Sequence, residues 1–263
     1  MKTYAARLFL ALWLVISFLL VAWQSEPTIT QATPVSAAPN PAPAQAGQVE
    51  EESLSKNVRL DPAIADDNDS QTVNGYIYEG LVRLENNTPE PALAAAWTVS
   101  DNGLSYIFHL RPSAVFHDGT PVTADAVMAN VNRWFDPQSP LRGTAGTYSA
   151  WSRLFLGFKG ETDADGHPKS SFDGIEKVDD LTVLLHLNRQ DPLLLSNLGL
   201  PNFGIVNPNA LAAQDDKYGT TAEGTSGTGP YFVSEWTADR LVIKPNPKYW
   251  GPVPESERRF SLH

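Results

Sequence analysis

The chain has 263 residues, 42% of them hydrophobic, so it is long enough to bury a sizeable core in one or two domains. Its formal net charge is −11 and its isoelectric point is about 4.8, which argues against nucleic-acid binding and against docking on anionic lipid by charge. The absence of cysteine excludes disulfides, thiolate metal sites, iron–sulfur clusters and cysteine nucleophiles.

The N-terminus has the pattern of a secretory signal. Lys2 and Arg7 precede an apolar run from Leu8 to Trp23. We predict a signal peptide over residues 1–23, with an uncleaved membrane anchor as the alternative, and a periplasmic or extracellular location. No cysteine follows the run, so a lipoprotein is not expected. Residues 24–52 are rich in proline and alanine and predict a disordered leader, with folded structure beginning where it ends.

A strand, a turn and a helix are predicted in succession near the middle of the chain. Apolar residues recur at every second position from Leu104 to Leu110, a period that indicates a strand. Asp118-Gly119 is typical of a tight turn, and Thr123 can cap a helix that begins directly after it. The apolar residues that follow share one helical face up to Phe135, and Asp136-Pro137 ends the helix.

The later elements are shorter. Apolar and turn residues predict a strand at Val183–Leu187, a helix within Leu193–Leu200, a short buried strand at Phe203–Val206, a loop at Gly224–Gly229, and a hairpin of Tyr231–Val233 with Leu241–Lys244.

No catalytic or metal-binding motif is recognisable in the sequence. None of the five histidines pairs with another at metal-ligand spacing. The loop at residues 224–229 matches neither a nucleophile elbow nor a phosphate-binding loop. We therefore predict no metal and no cofactor, and we favour a protein without enzymatic activity.

Two acidic clusters are polar features that could contact a ligand, and the second, Asp163-Ala164-Asp165-Gly166, also lacks the spacing of an EF-hand and is interpreted as a solvated loop. Asp66, Asp67, Asn68 and Asp69 are compatible with calcium binding, with a polar ligand contact or with a solvated loop, although the spacing is not that of an EF-hand. A hydrolase with paired carboxylates also stays open, because the separation of two carboxylates is a spatial property that a sequence does not give.

A series of separated segments carries a family resemblance. In chain order they are Leu60-Asp61-Pro62, Ile77–Val82, Pro91–Ala94 with Trp97, Asp101–Arg111, Phe116–Asp125, Gly227–Tyr231 and Asn246–Gly251. Together they resemble the family 5 extracellular solute-binding proteins, which are the oligopeptide-, dipeptide- and nickel-binding components of ABC importers. The resemblance covers about Leu60 to Gly251.

The resemblance implies an α/β fold of the periplasmic-binding-protein type II kind, in which two lobes enclose a ligand. It places residues 53–80 and 193–263 in an incomplete main first lobe, and residues 81–192 in an inserted α+β subdomain. Members of the family are usually much longer, so the comparison implies that the second lobe is missing and that the chain is a truncated form.

The resemblance also implies a ligand site on three loops. Its expected residues are Asp66, Asp67 and Asn68 on the first loop, Tyr148 and Trp151 on the second, and Asn202 and Phe203 on the third. Carboxylates there would pair with a cationic amino terminus, and aromatic rings would cover apolar side chains.

The implied function is the capture of peptides or similar small solutes for an ABC importer. The expected partners are that ligand and the permease subunits of the transporter, with membrane attachment only through the N-terminal segment. A secreted or membrane-tethered interaction module without a transport role is the alternative.

Overall fold

The structure is a computed structural model that describes residues 51–263. The predicted signal peptide and nearly all of the predicted leader lie outside the described residues. The strands are β1 (Glu51–Leu54), β2 (Val82–Glu85), β3 (Thr88–Pro91), β4 (Ala94–Val99), β5 (Ser105–Leu110), β6 (Phe172–Asp179), β7 (Thr182–Leu187), β8 (Tyr231–Trp236), β9 (Arg240–Pro245) and β10 (Arg258–Leu262). The helices are α1 (Asn68–Ile77), α2 (Ala124–Phe135), α3 (Ser149–Phe155), α4 (Leu194–Leu198) and α5 (Pro208–Gln214).

One four-stranded sheet pairs the first strand with the last. Its order is β1-β10-β9-β8, and β1 runs parallel to β10 with Glu51 opposite Arg259. The other pairs are antiparallel, and β8 with β9 confirms the predicted hairpin. Helix α1 packs against this sheet. The core between them includes Leu54, Ile77, Leu241, Ile243 and Phe260.

A second four-stranded sheet is antiparallel, in the order β4-β5-β7-β6, and the hairpin β2-β3 stands apart from it. Strands β5 and β7 confirm the two strands predicted from alternating residues. Tyr106, Phe108 and Leu110 are buried in β5, as a period of two requires when one face covers a core.

Helix α2 lies on this second sheet and follows its predicted signals. The side chain of Thr123 caps it by accepting a hydrogen bond from the backbone N–H of Ala126 at 3.3 Å. The helix ends at Phe135, directly before Asp136. The shorter helix predicted near Leu193 is confirmed as α4.

Aromatic side chains fill the larger core beneath α2. Trp151 is central, with ring centroids 4.3 Å from Phe155, 5.1 Å from Phe172 and 6.1 Å from Phe203. Trp134 meets Phe203 edge to face at 5.4 Å. Each such aromatic pair contributes roughly 0.5–1.5 kcal/mol beyond the burial of its apolar area. The cluster therefore stabilises the packing of α2 and α3 on the second sheet.

The strand predicted at Phe203–Val206 is wrong. Phe203 ends a single 3-10 turn, and Ile205 and Val206 are buried without joining a sheet. The N–H of Val206 donates to the side-chain oxygen of Asn130 at 3.0 Å, and the amide group of Asn130 donates back to the carbonyl of Val206 at 2.8 Å. One side chain thus supplies the hydrogen bonds that a neighbouring strand would otherwise have given.

Three of the segments that carry the family resemblance, Ile77–Val82, Gly227–Tyr231 and Asn246–Gly251, meet at Glu79. Its carboxylate accepts hydrogen bonds from the hydroxyl of Thr228 at 3.1 Å, the hydroxyl of Tyr249 at 2.9 Å and the indole N–H of Trp250 at 2.9 Å. We call these four residues the Glu79 cluster. Burial raises the pKa of Glu79, and the three hydrogen bonds oppose part of that rise.

His117 fixes the loop that carries Thr228. Its Nδ1 accepts from the N–H of Gly227 at 3.2 Å, and its Nε2 lies 3.2 Å from the carbonyl of Gly229. A neutral ring protonated on Nε2 satisfies both contacts. Burial lowers the pKa of His117 to about 4, so the ring is neutral at physiological pH.

Candidate functional site

Three loops that are far apart in the sequence meet at one surface. The carboxylate of Asp66 accepts a hydrogen bond from the hydroxyl of Ser149 at 2.6 Å. The side-chain amide of Asn202 donates to the backbone carbonyl of Ala65 at 3.1 Å. The structure therefore brings together the three loops expected to carry the ligand site, and we call this surface the loop site.

The carboxylates of the acidic cluster have separate neighbours. Asp67 caps α1 by accepting from the N–H of Ser70 at 2.8 Å, whereas Asp69 accepts from the N–H of Ser55 at 2.7 Å. Together with the bond from Ser149 to Asp66, these contacts direct the three carboxylates to three different donors. This arrangement does not favour the calcium interpretation, which needs several carboxylate oxygens directed at one point.

The expected role of the aromatic residues needs a correction. Tyr148 is only 1% exposed, and Trp151 and Phe203 are each 2% exposed. Their rings are occupied by the aromatic core and by arginine side chains; the guanidinium of Arg142 lies 4.0 Å from the centre of the Tyr148 ring. Their ring faces are therefore not available to cover a ligand. These residues instead form part of the core on which the loop site rests.

Asp66, Asp67 and Asn68 are exposed at the loop site, and Asn202 is half-buried. These side chains offer carboxylate and amide oxygens, which accept hydrogen bonds, and amide N–H groups, which donate them. The arrangement suits an ammonium group or a peptide amide.

A buried ion pair anchors the first loop. The guanidinium of Arg133 donates to both carboxylate oxygens of Asp61, at 2.9 and 2.5 Å, and both residues are nearly inaccessible to solvent. Burial alone would lower the pKa of Arg133, but the charge and hydrogen bonds of Asp61 outweigh it and raise the pKa. The ion pair joins the Asp-Pro segment to α2. Arg133 also donates a hydrogen bond to the backbone carbonyl of Leu141, which precedes the second loop in the chain.

The backbone of the second loop has an unusual conformation. Tyr148 has φ 52°, ψ 41°, in the left-handed region that non-glycine residues seldom adopt. Its hydroxyl donates to the carbonyl of Arg142, which closes the loop on itself. Strain of this kind costs on the order of 1–3 kcal/mol and persists where the surroundings enforce it.

Two residues that matter for the site were missed in the sequence. Ser149, which orients Asp66, is hidden because a serine at the start of a helix is ordinarily assigned to capping. Arg133 lies within the predicted helix, and nothing in the sequence distinguishes it from the solvent-facing charged residues that helices usually carry.

Loops that present hydrogen-bonding side chains on an α/β lobe are typical of ligand-binding proteins. Residues 88–258 match the sequence profile of the bacterial extracellular solute-binding proteins, family 5, middle region. The chain therefore belongs to the family 5 extracellular solute-binding proteins, a family of binding proteins and not of enzymes.

Curated relatives agree with this assignment. The chain is 31% identical over 208 residues to the probable D,D-dipeptide-binding periplasmic protein DdpA of Escherichia coli K12. The aligned region covers 76% of this chain and 36% of that protein. It is 31% identical over 196 residues to the glutathione-binding protein GsiB of the same strain, covering 73% of this chain and 33% of that protein. The chain thus spans about a third of the length of these relatives.

Solved structures agree as well. The periplasmic binding protein DppA of Helicobacter pylori, in complex with the peptide STSA, superposes with a TM-score of 0.66 at 27% identity, covering 81% of this chain and 41% of that one. The substrate-binding domain of an oligopeptide ABC transporter from Bacillus anthracis gives 0.64 at 25% identity, covering 82% and 42%. The fold is that of a periplasmic-binding-protein type II lobe. Within residues 51–263, no helix has the length and apolar character needed to cross a membrane.

Proposed function

We propose that this chain provides one wall of the ligand site of an ABC importer's substrate-binding component. In this proposal the protein is exported, works outside the cytoplasmic membrane with the transporter's permease subunits, and captures peptides or similar small solutes. The single observation that supports the proposal most directly is the meeting of Asp66, Ser149 and Asn202 at one surface.

The charge of the loop site suggests how a ligand is held. Asp66 and Asp67 are exposed acceptors, and Ser149 keeps the Asp66 carboxylate in a fixed orientation. A protonated amino terminus would form charge-assisted hydrogen bonds with these carboxylates, and Asn202 would pair with a peptide group. The names of the relatives, which mention a dipeptide, glutathione and a peptide, support a ligand of this class.

Nuclear magnetic resonance with a tetrapeptide tests the proposal. A single wall leaves much of a ligand in water, so we expect weak binding that calorimetry hardly detects. Addition of Ser-Thr-Ser-Ala should shift the backbone amide signals of Asp66, Ser149 and Asn202 in a saturable way. The same peptide with an acetylated amino terminus should bind about tenfold more weakly, because it lacks the ammonium group.

A pair of matched variants locates the effect. Asp66→Asn should weaken binding of the free peptide to the level of the acetylated one. Asp173→Asn removes an equally exposed carboxylate from β6 and should leave binding unchanged. Saturable shifts on any other face of the lobe, or equal affinities for the two peptides, would contradict the proposal.

A further inference from the structure

A second concave surface lies away from the loop site. It is a cavity of about 500 Å³ beside the ends of β1 and β10 and the turn between β8 and β9. We call it the basic groove, and we define it by Lys56, Arg59, Thr220, Thr221, Trp236 and Thr237. Among the residues that line it there is no carboxylate, although the whole chain carries a net charge of −11.

Arg59 is the unusual residue of the basic groove. Its guanidinium donates one hydrogen bond, to the backbone carbonyl of Asp216 at 3.1 Å. Its Nε is buried and has no partner, and within residues 51–263 no carboxylate oxygen lies within 4.0 Å of the guanidinium. The buried Nε is closed to a ligand, so an incoming anion would contact the terminal nitrogens of the guanidinium. Hydrogen bonds from Thr144 and the charge of Arg59 lower the pKa of the nearby Asp216, but that carboxylate forms no direct ion pair with Arg59 in the described residues.

Lys56 adds a second positive charge to the basic groove, and Trp236 adds an aromatic ring with an indole N–H. Lys56 is paired only loosely with Asp239, at 3.7 Å, and the Asp239 carboxylate is 85% exposed. Trp236 is half-buried, and in the described part of the chain its indole N–H makes no hydrogen bond. The hydroxyls of Thr220 and Thr237 already donate to backbone carbonyls, which leaves the two cations, the indole and the side-chain amide of Asn57 as donors toward a ligand.

We propose that the basic groove binds a small carboxylate that carries a flat apolar body. The carboxylate lies between Arg59 and Lys56, and the flat body packs on Trp236. A fork-shaped guanidinium matches the two oxygens of a carboxylate, and a cavity of this volume accommodates a small molecule. This site is separate from the loop site and does not depend on the function proposed for it.

Benzoate and its neutral analogue benzamide test the site in the full chain. Benzoate should cause a saturable shift of one indole N–H signal, assigned to Trp236 because it disappears in Trp236→Phe. Benzamide should bind about tenfold more weakly, because it has the same shape without the charge. Benzoate binding should weaken as salt is added.

Variants separate the basic groove from nonspecific charge effects. Arg59→Gln should weaken benzoate binding about tenfold, and Lys56→Gln a few-fold. Asp239→Asn should strengthen it, because Lys56 loses its competing partner. Lys244→Gln, which removes an exposed positive charge from β9, and Asp66→Asn, at the loop site, should leave it unchanged.

Two results would overturn the inference. One is equal affinity for benzoate and benzamide, and the other is benzoate affinity that Lys56→Gln and Arg59→Gln do not change. The comparison of the two ligands on the unmodified chain and the Lys56→Gln variant are informative even if Arg59→Gln fails to fold.

Discussion

Two carboxylates that accept several hydrogen bonds, the buried Asp61 and the half-buried Glu79, differ sharply from the exposed carboxylates of the loop site. Asp61 accepts two hydrogen bonds from Arg133, and Glu79 accepts three from neutral donors on two separate segments. Asp66, in contrast, accepts one hydrogen bond in the structure, from Ser149. Asp61 and Glu79 thus join distant segments of the lobe, whereas a change at the exposed Asp66 should cost the fold little.

The largest effect should come from breaking the buried ion pair. Arg133→Met leaves the Asp61 carboxylate buried without a partner, which should reduce the free energy of unfolding by about 3–5 kcal/mol. Urea denaturation followed by circular dichroism measures this change.

The double variant Arg133→Met with Asp61→Leu provides the control. It removes both charges and should recover most of the lost stability. Equal losses in the single and the double variants would show that the pair is not what anchors the Asp-Pro segment.

The second largest loss of stability should come from a mutation in the Glu79 cluster. Glu79→Leu removes the acceptor for three donors and should cost about 3 kcal/mol of unfolding free energy. Glu79→Gln keeps an acceptor oxygen and should cost much less. The same urea experiment compares them, and similar losses for the two variants would mean that shape rather than hydrogen bonding matters at this position.

His117 should make stability depend on pH. Its pKa in the folded state is lowered to about 4 from an unfolded value near 6.5, so the neutral ring stabilises the fold above pH 6.5. This contribution is lost as the pH falls from 6.5 to 4, and it amounts to on the order of 3 kcal/mol.

The measurement for His117 must exclude other groups. Glu79 has a raised pKa, so its effect has the opposite sign: its protonation on acidification favours the folded state. The difference in unfolding free energy between the unmodified chain and His117→Gln isolates the histidine, and this difference should shrink between pH 6.5 and pH 4. A constant difference would refute the assignment.

The smallest effect on stability should come from the loop site. Asp66→Asn and Ser149→Ala should each change the unfolding free energy by less than about 0.5 kcal/mol, because Asp66 is exposed, Ser149 is half-buried and their hydrogen bond is open to solvent. Both should weaken peptide binding. A loss of stability as large as that of Glu79→Leu would remove the distinction between the two regions.

Local signals in the sequence were sufficient for much of the fold. Residues close together in the chain determine strand β5, the helix capped by Thr123 and the hairpin of β8 with β9. The segment at Ile205 and Val206 could not be predicted correctly, since its backbone partners are distant in the chain: the carbonyl of Glu79 for Ile205 and the side chain of Asn130 for Val206.

The candidate site was predictable only in outline. The family resemblance indicated which loops to compare, and the structure brings Asp66 and Asn202 to one surface. The aromatic residues could not be assigned, because a tryptophan such as Trp151 has the same appearance in a sequence whether it lies in a core or faces a ligand. The pairing of Asp61 with Arg133 spans 72 positions, a distance at which single-sequence patterns carry no information.

The parallel pairing of β1 with β10 has a consequence for how the protein matures. Glu51 lies beside Arg259, so the edge of that sheet cannot close while the ribosome is still adding the residues between them. Loop closure over such a separation is slow, so β1 should be the last strand to join that sheet.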